Sequence, residues 1–417
     1  MGPGGGMRVT RATVEAVAGL TARWFGAVED GTVLSAVGVW PLLAFLADGA
    51  GGAARAELAE AIGLPADRAA PAARELLEAL RAMRGLDAAL GLWTDRTLEL
   101  RAAWESGLPT DTHGVLTGDL DTDRGALDAW ARKRTGGLLD RMPVALTQDT
   151  ELVLASALAL RTEWLRPFEE WPVTPEQGPW RDRTLLGLRR ETSLLDRVAV
   201  ADTPEGSVTE LRVLGTGGLD VRLLLGEERM TPAAVLRAGV DVLLGRLPSV
   251  NGTRLPFGDV GPGLRVRRER CVNPRPPTLE VTTAAYDMTA HHDLLARHRL
   301  FGLTAARDSA RGHFPGISGS PLAIGSAEQS ATARFGALGF RAAAVTAVAA
   351  MPGGMPERRY LTTTVEADFD RPFGFLAVHR TSRLVLAAGW VTDPVPHPEY
   401  EDEHEEEWAH IADATHT

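Results

Sequence analysis

Ionisable side chains close together in the sequence are the first place to look for chemistry. His291, His292 and His298 form one such group. Imidazole titrates near neutral pH and is the commonest metal ligand. On a helix, His291 and His298 would share a face. No His-Glu-x-x-His accompanies them, so a solvated helix face is the expected reading and a zinc site is not. A second group, His397, His404, His410 and His416, lies among the carboxylates of residues 396–417. There a disordered, solubilising tail is expected in preference to a metal site. Cys271 is the single cysteine, which excludes an intramolecular disulfide and a multi-cysteine zinc site. Flanked by Val272-Asn273-Pro274 and no partner motif, it reads as structural. No Walker loop and no Gly-x-Ser-x-Gly is present, and Gly4-Gly5-Gly6 does not join a strand to a helix. Nothing in the sequence identifies a nucleophile–base pair or paired carboxylates, so no enzymatic activity, metal or cofactor is expected.

Composition narrows the classes further. Apolar residues make up 44% and charged residues 24% of 417 residues, an ordinary globular balance. The net charge of −11 argues against nucleic-acid binding through global positive charge. Lys133 is the one lysine among 44 basic residues, and the arginine excess is explained by a GC-rich genome. No apolar run reaches the length of a membrane helix. The start, Met-Gly-Pro-Gly-Gly-Gly-Met, is followed by an amphipathic stretch and no secretory h-region, with Met1 or Met7 as the start. The expectation is a cytoplasmic monomer with no nucleic-acid or membrane partner.

The elements that would position any site follow from periodicity. Residues 9–27 have helical spacing, with Val14, Val17, Leu20, Trp24 and Phe25 on one face. Val33-Leu34-Ser35 reads as a short strand and Trp40–Leu46 as a buried helix. Helices follow at 53–62 and 71–84, punctuated by Pro65 and Pro71. Residues 88–95, carrying Trp93, read as a strand, and Asp121 or Thr122 as the cap of a helix running to Arg134. The apolar run 151–160 suits a central strand buried on both faces. Strands are expected from 197, a helix from Thr231 to Gly245, and strands at 264–270 and 278–284. A helix is expected at 291–301, and the strands 373–379 and 383–391 form a hairpin around Arg380-Thr381-Ser382. The class is mixed α+β, and no internal repeat is seen.

The last 80 residues carry a stronger signal. Ala367-Asp368-Phe369-Asp370-Arg371-Pro372-Phe373-Gly374-Phe375-Leu376 resembles the C-terminal signature of serpins. Leu384-Val385-Leu386-Ala387-Ala388-Gly389-Trp390-Val391-Thr392-Asp393-Pro394 is similar to their final strand. Gly339, Phe340, Arg341, Ala342, Ala343, Ala344, Val345 and Thr346 resemble the hinge of a reactive-centre loop. Further blocks follow in serpin order: Ser35–Gly52; Trp130 with Arg134–Leu139; Leu152–Phe168 with Trp164; Leu300–Leu303; and His313–Ser318. The resemblance, of bacterial type, covers residues 8–395 as one serpin domain, with the acidic tail 396–417 outside it.

The resemblance implies a serpin-like fold: a large central β-sheet, two further sheets, eight or nine helices and an exposed loop. It implies suicide inhibition of a serine protease, subtilisin- or elastase-like. The protease cleaves the loop, an acyl-enzyme forms, and the loop inserts into the central sheet of a metastable protein. Family spacing places the scissile bond near Gly353-Gly354. Ala350-Met351 is the better bond chemically, and Arg358-Arg359, which suits a trypsin-like enzyme, lies beyond the expected position.

Several positions depart from the family pattern. Phe340 stands where inhibitory members place a small residue, and is expected to slow insertion and favour substrate turnover. Ala337 replaces an acidic residue. Gly38, Ser156 and Gln329 stand for the usual Ser, Asn and His of the shutter, while Ser35 is retained. The alternatives are a non-inhibitory binding or carrier protein, and a serpin scaffold recruited as an enzyme. An extracellular location is the family default.

Overall fold

In the computed structural model, the described residues are 9–27, 31–110, 112–137, 140–142, 144, 146–148, 150–308, 310–340 and 360–398. Several expected site residues therefore lie outside them. These are Arg341, Ala342, Ala343, Ala344, Val345 and Thr346 of the hinge, and Ala350, Met351, Gly353, Gly354, Arg358 and Arg359 of the scissile region. The tail from Glu399 lies outside them too.

The described residues form eight α-helices and three β-sheets, the α+β architecture the sequence led us to expect. The central sheet is built around Leu152–Leu160 and Ser326–Phe335. These two strands run parallel and are paired directly, from Val153 opposite Ser326 to Leu158 opposite Ala331. Leu86–Asp95 flanks the first and Tyr286–Asp293 the second, both antiparallel. The apolar run of residues 152–160 makes sense here, because both faces are covered. Leu152, Leu154, Leu158 and Leu160 join the main core. Val153 and Ala155 face a second cluster with Leu127 and Ala131 of the helix Leu120–Arg134, which lies across the sheet.

A second, antiparallel sheet contains Val33–Leu34 and the hairpin Phe373–His379/Leu384–Val391, nearly all of it buried. The third sheet runs Gly258–Gly261, Leu264–Cys271, Tyr360–Asp368, Thr278–Ala284, Leu185–Thr192 and Glu169–Val173. The helices Arg11–Phe25, Gly52–Ile62 and Pro232–Leu244 match the expected segments closely, and Ala36–Gly49 extends the expected Trp40–Leu46 at both ends.

Three local expectations are corrected. Residues 286–293 are a strand, not the start of a helix, and only His298–Phe301 is helical. Eight cross-strand pairings with Asp293–Tyr286's neighbour, Ser326–Phe335, outweigh the local helical pattern. Pro71 does not break the chain but lies within the helix Ala66–Arg81, where packing of Ala69, Ala73, Leu76 and Leu80 offsets its missing hydrogen bond. The helix cap is Asp119, whose carboxylate accepts from Thr122 N at 2.8 Å, and not Asp121 or Thr122. The described part of the expected tail also stays attached: Pro396 bridges to Leu185, and His397 N donates to Thr184 O at 3.0 Å.

Candidate functional site

The site lies along the seam between the two parallel central strands. At its upper end Phe335 leads into a turn closed by Gly336 N donating to Gly339 O at 3.0 Å. Gly339–Phe340 then runs back as a two-residue strand. It pairs antiparallel with Phe335 on one side and with Thr162–Glu163 on the other. The seam is thus forked: closed by direct pairing below, and held apart above by Gly339 and Phe340. Gly339 is required there, because a Cβ would sit 2.3 Å from Thr162 O.

Trp164 and Phe168 clamp the turn. Trp164 N donates to Leu338 O at 2.9 Å, its indole Nε1 to Gly336 O at 2.9 Å, and Phe168 N to Ala337 O at 2.8 Å. The rings of Trp164 and Tyr286 lie 4.9 and 5.3 Å from Phe335. Ala337 is buried in this clamp, so a carboxylate there would be desolvated. Phe340 is 1% exposed, its ring centroid 6.3 Å from that of Phe375. Its backbone already lies between Phe335 and Thr162, and its ring is buried on the face toward the second sheet. Tyr286 completes the aromatic layer, and burial pushes its phenol well above its ordinary range.

Midway down the seam a polar cluster joins helix, sheet and hairpin. The side-chain amide of Gln329 makes both available bonds to one residue: its Oε1 accepts from Ser35 N at 2.8 Å and its Nε2 donates to Ser35 O at 2.7 Å. Ser35 Oγ donates to Leu386 O at 2.7 Å. Ser156 is opposite Gln329 in register and fully buried, and its hydroxyl has no partner. Gly38 is explained by this crowding, since a Cβ would meet Ser156 Oγ at 2.5 Å. So Ser35, Ser156 and Gln329 do converge, and Trp164 lies above them at the mouth.

The histidines separate. His292 points inward and its Nε2 pairs with Val33 O at 2.9 Å, the ring 5.1 Å from Trp24. Burial holds it below the usual imidazole range, which leaves it neutral and donating to that carbonyl. His291 bonds Ser330 Oγ and His298 bonds Thr304 Oγ1. Among the described residues no group of three metal-ligating side chains forms. The sequence missed His292 as part of this cluster, because its alternation with His291 shows only once the segment is read as a strand.

Away from the seam lies a cavity of about 740 Å³. Val9 and Val14 of the first helix segment, Ala82 and Met83 line it with Leu244, and Arg11, His379 and Arg383 add polarity.

A sheet of this topology, with a chain turning back into the fork between two parallel central strands, defines a known class. Human thyroxine-binding globulin complexed with thyroxine superposes with a TM-score of 0.69 at 16% identity, covering 92% of this chain and 98% of that one. Tengpin, a thermophilic serpin in the native state, superposes with a TM-score of 0.70 at 14% identity, covering 92% and 95%. The fold is the serpin fold. The family profile described as Serpin (serine protease inhibitor) matches residues 20–177. Serpin-Z6A of Oryza sativa subsp. japonica is 26% identical over 405 residues, spanning 89% of this chain and 98% of its own length. The chain therefore has the serpin fold and is similar in sequence to serpins over most of its length.

Proposed function

We propose that this protein is a serine protease inhibitor that acts by suicide-substrate trapping, with residues 341–359 as the bait. The observation that carries the reading is the forked seam. Gly339–Phe340 already runs antiparallel to both neighbours. Continued downward, the same strand replaces one parallel pairing by two antiparallel ones, each at least as favourable per residue. It also buries new apolar surface. Insertion is downhill for that reason, and the native state persists because the seam below is closed.

Alternation supports the same reading. With Phe340 facing the core, Ala342, Ala344 and Thr346 would follow it inward, and all are small. Because the Phe340 ring is already seated, the residue that must move first on insertion is Arg341. Phe340 is then an anchor for the hinge and no barrier to it. The fitting targets are subtilisin- or elastase-like enzymes cutting at Ala350-Met351 or Gly353-Gly354. A trypsin-like enzyme cutting at Arg358-Arg359 is the less favoured case. On this reading the protein is a monomer that catalyses nothing.

The test is incubation with subtilisin, elastase, chymotrypsin and trypsin, read on denaturing gels and by the mass of the released C-terminal peptide. An SDS-stable complex, with a peptide starting within residues 351–359, is expected. Clean nicking by every protease, without a covalent band and without a rise in heat resistance, overturns the proposal.

The 740 Å³ cavity favours a second reading, that of a carrier for an amphipathic small molecule. Its structural neighbour thyroxine-binding globulin is complexed with thyroxine. Saturable binding of an anilinonaphthalene sulfonate probe, lost in Met83→Arg, would support it. Unsaturable binding would count against it.

A further inference from the structure

We infer that the pocket lined by Arg166, Arg190, Arg197 and Arg212, beside the mouth of the central sheet, is a binding site for a tetrahedral oxyanion, a sulfate or phosphate group. The cavity holds about 120 Å³ and is completed by Leu165, Thr192, Leu194 and Leu214. Four arginines line it, and among the described residues no Asp or Glu does.

The positive charge here is undercompensated. Arg212 shares Glu210 with Arg222, at 2.8 and 2.5 Å, and Arg197 has Asp196 at 3.4 Å. Among the described residues, Arg166 and Arg190 have no carboxylate partner. Arg166 Nη1 donates to Thr192 Oγ1 at 3.0 Å and Arg190 Nη1 to the Arg166 carbonyl at 2.9 Å. Arg190 is pinned with its guanidinium 4.2 Å from the centre of the Phe168 ring. Its Nε is buried and bonded to nothing. Burial, together with Arg166 and Arg197, brings the Arg190 guanidinium down to about 10, far from its ordinary value.

Like charges gathered around a concavity, with an unsatisfied buried donor, repel one another until an anion arrives. Guanidinium forks match sulfate and phosphate oxygens bidentately. Residues far apart in the chain converge on the pocket, and Leu165 N is tied to Leu214 O at 3.0 Å. Occupancy would therefore fasten the segment after Thr162–Glu163 to the neighbouring sheets.

The test uses the full chain in a non-coordinating buffer with inorganic phosphate, inorganic sulfate, and chloride at matched ionic strength. Binding is read by calorimetric titration and by the thermal unfolding midpoint. Saturable millimolar or tighter binding of phosphate or sulfate is expected, with a midpoint rise that chloride does not give. The double variant Arg166→Gln/Arg197→Gln should weaken binding at least tenfold. It should also unfold at a higher temperature than wild type in anion-free buffer, because repulsion is relieved. Comparison of phenyl phosphate with inorganic phosphate then separates an esterified group from the free ion. Equal midpoints in phosphate, sulfate and chloride overturn the inference. So does an anion effect that survives intact in the double variant, since that is general salting-out.

Discussion

Replacing Phe340 by Ala tests whether the hinge is seated in the sheet. The side chain is 1% exposed and packs toward Phe375, while its backbone pairs with Thr162 and Phe335. Truncating a buried phenylalanine costs about 3–5 kcal/mol, from lost transfer energy and the cavity left behind. With an unfolding entropy of ~2.1 cal/mol/K per residue, the 417 residues here give roughly 0.9 kcal/mol/K. The expected fall in midpoint is then about 3–6 °C. The assay is differential scanning calorimetry of the uncleaved protein at one fixed scan rate, because the proposed mechanism makes the native state kinetically trapped and its midpoint rate-dependent. A variant that melts within a degree of wild type would refute the buried position of the ring. The companion variant Phe340→Thr separates anchor from barrier. With residue 340 already paired between the strands and its ring buried against the second sheet, Thr should leave the ratio of covalent complex to nicked protein unchanged or lower it. A strong swing toward complex would show that Phe340 obstructs insertion, as the sequence pattern suggests, and that the seated hinge is wrong.

The polar cluster at mid-seam gives further expectations. Gln329→Leu leaves the buried Ser35 N–H unpaired, while Ser35 C=O keeps its bond from Gly38 N at 3.1 Å; the cost is about 1–3 kcal/mol, and urea denaturation should show the loss. Gly38→Ala drives a methyl against Ser156 Oγ, 2.5 Å from the ideal Cβ, and should destabilise by about 1–3 kcal/mol. In a Ser156→Ala background the penalty should shrink by more than ~0.5 kcal/mol, a coupling that a double-mutant cycle reads directly. Glu328 lies beside Asp293 in register, and burial first, then that neighbouring charge, pushes its carboxyl from 4.5 up to about 8. The folded state then holds a proton that the unfolded state has released, so this group's contribution falls as pH rises from about 4.5 to 8. Melting midpoints should decline across that window, and Glu328→Gln should flatten the decline; an unchanged slope would assign it to other groups such as Asp368, also raised by burial.

Much of the frame was legible in the residues. Runs with one dominant period read correctly: the first helix, the apolar strand 152–160 and the terminal hairpin each satisfy their own local pattern and bury the face that pattern offers. The order of short motifs, more than any one of them, carried the resemblance to the serpins. Reading failed where partners distant in sequence decide the outcome. His291 and His292 look helical locally, yet become a strand because Ser330 and Gln329 are available to pair with them. Pro71 looks like a stop, yet sits in a helix whose packing outweighs one lost hydrogen bond.

The sequence by itself determined the resemblance to serpins, most of the order of elements and the small-residue character of residues 342–347, since each is written in local composition and spacing. Tertiary structure alone decided that the seam is closed below and forked above, because register between Leu152–Leu160 and Ser326–Phe335 is a property of two strands 170 or so residues apart. It alone showed why position 38 must be glycine, since the obstructing hydroxyl belongs to Ser156. It also gathered Arg166, Arg190, Arg197 and Arg212 around one cavity. In an arginine-rich chain no spacing marks those four, and only folding brings their charges close enough to repel.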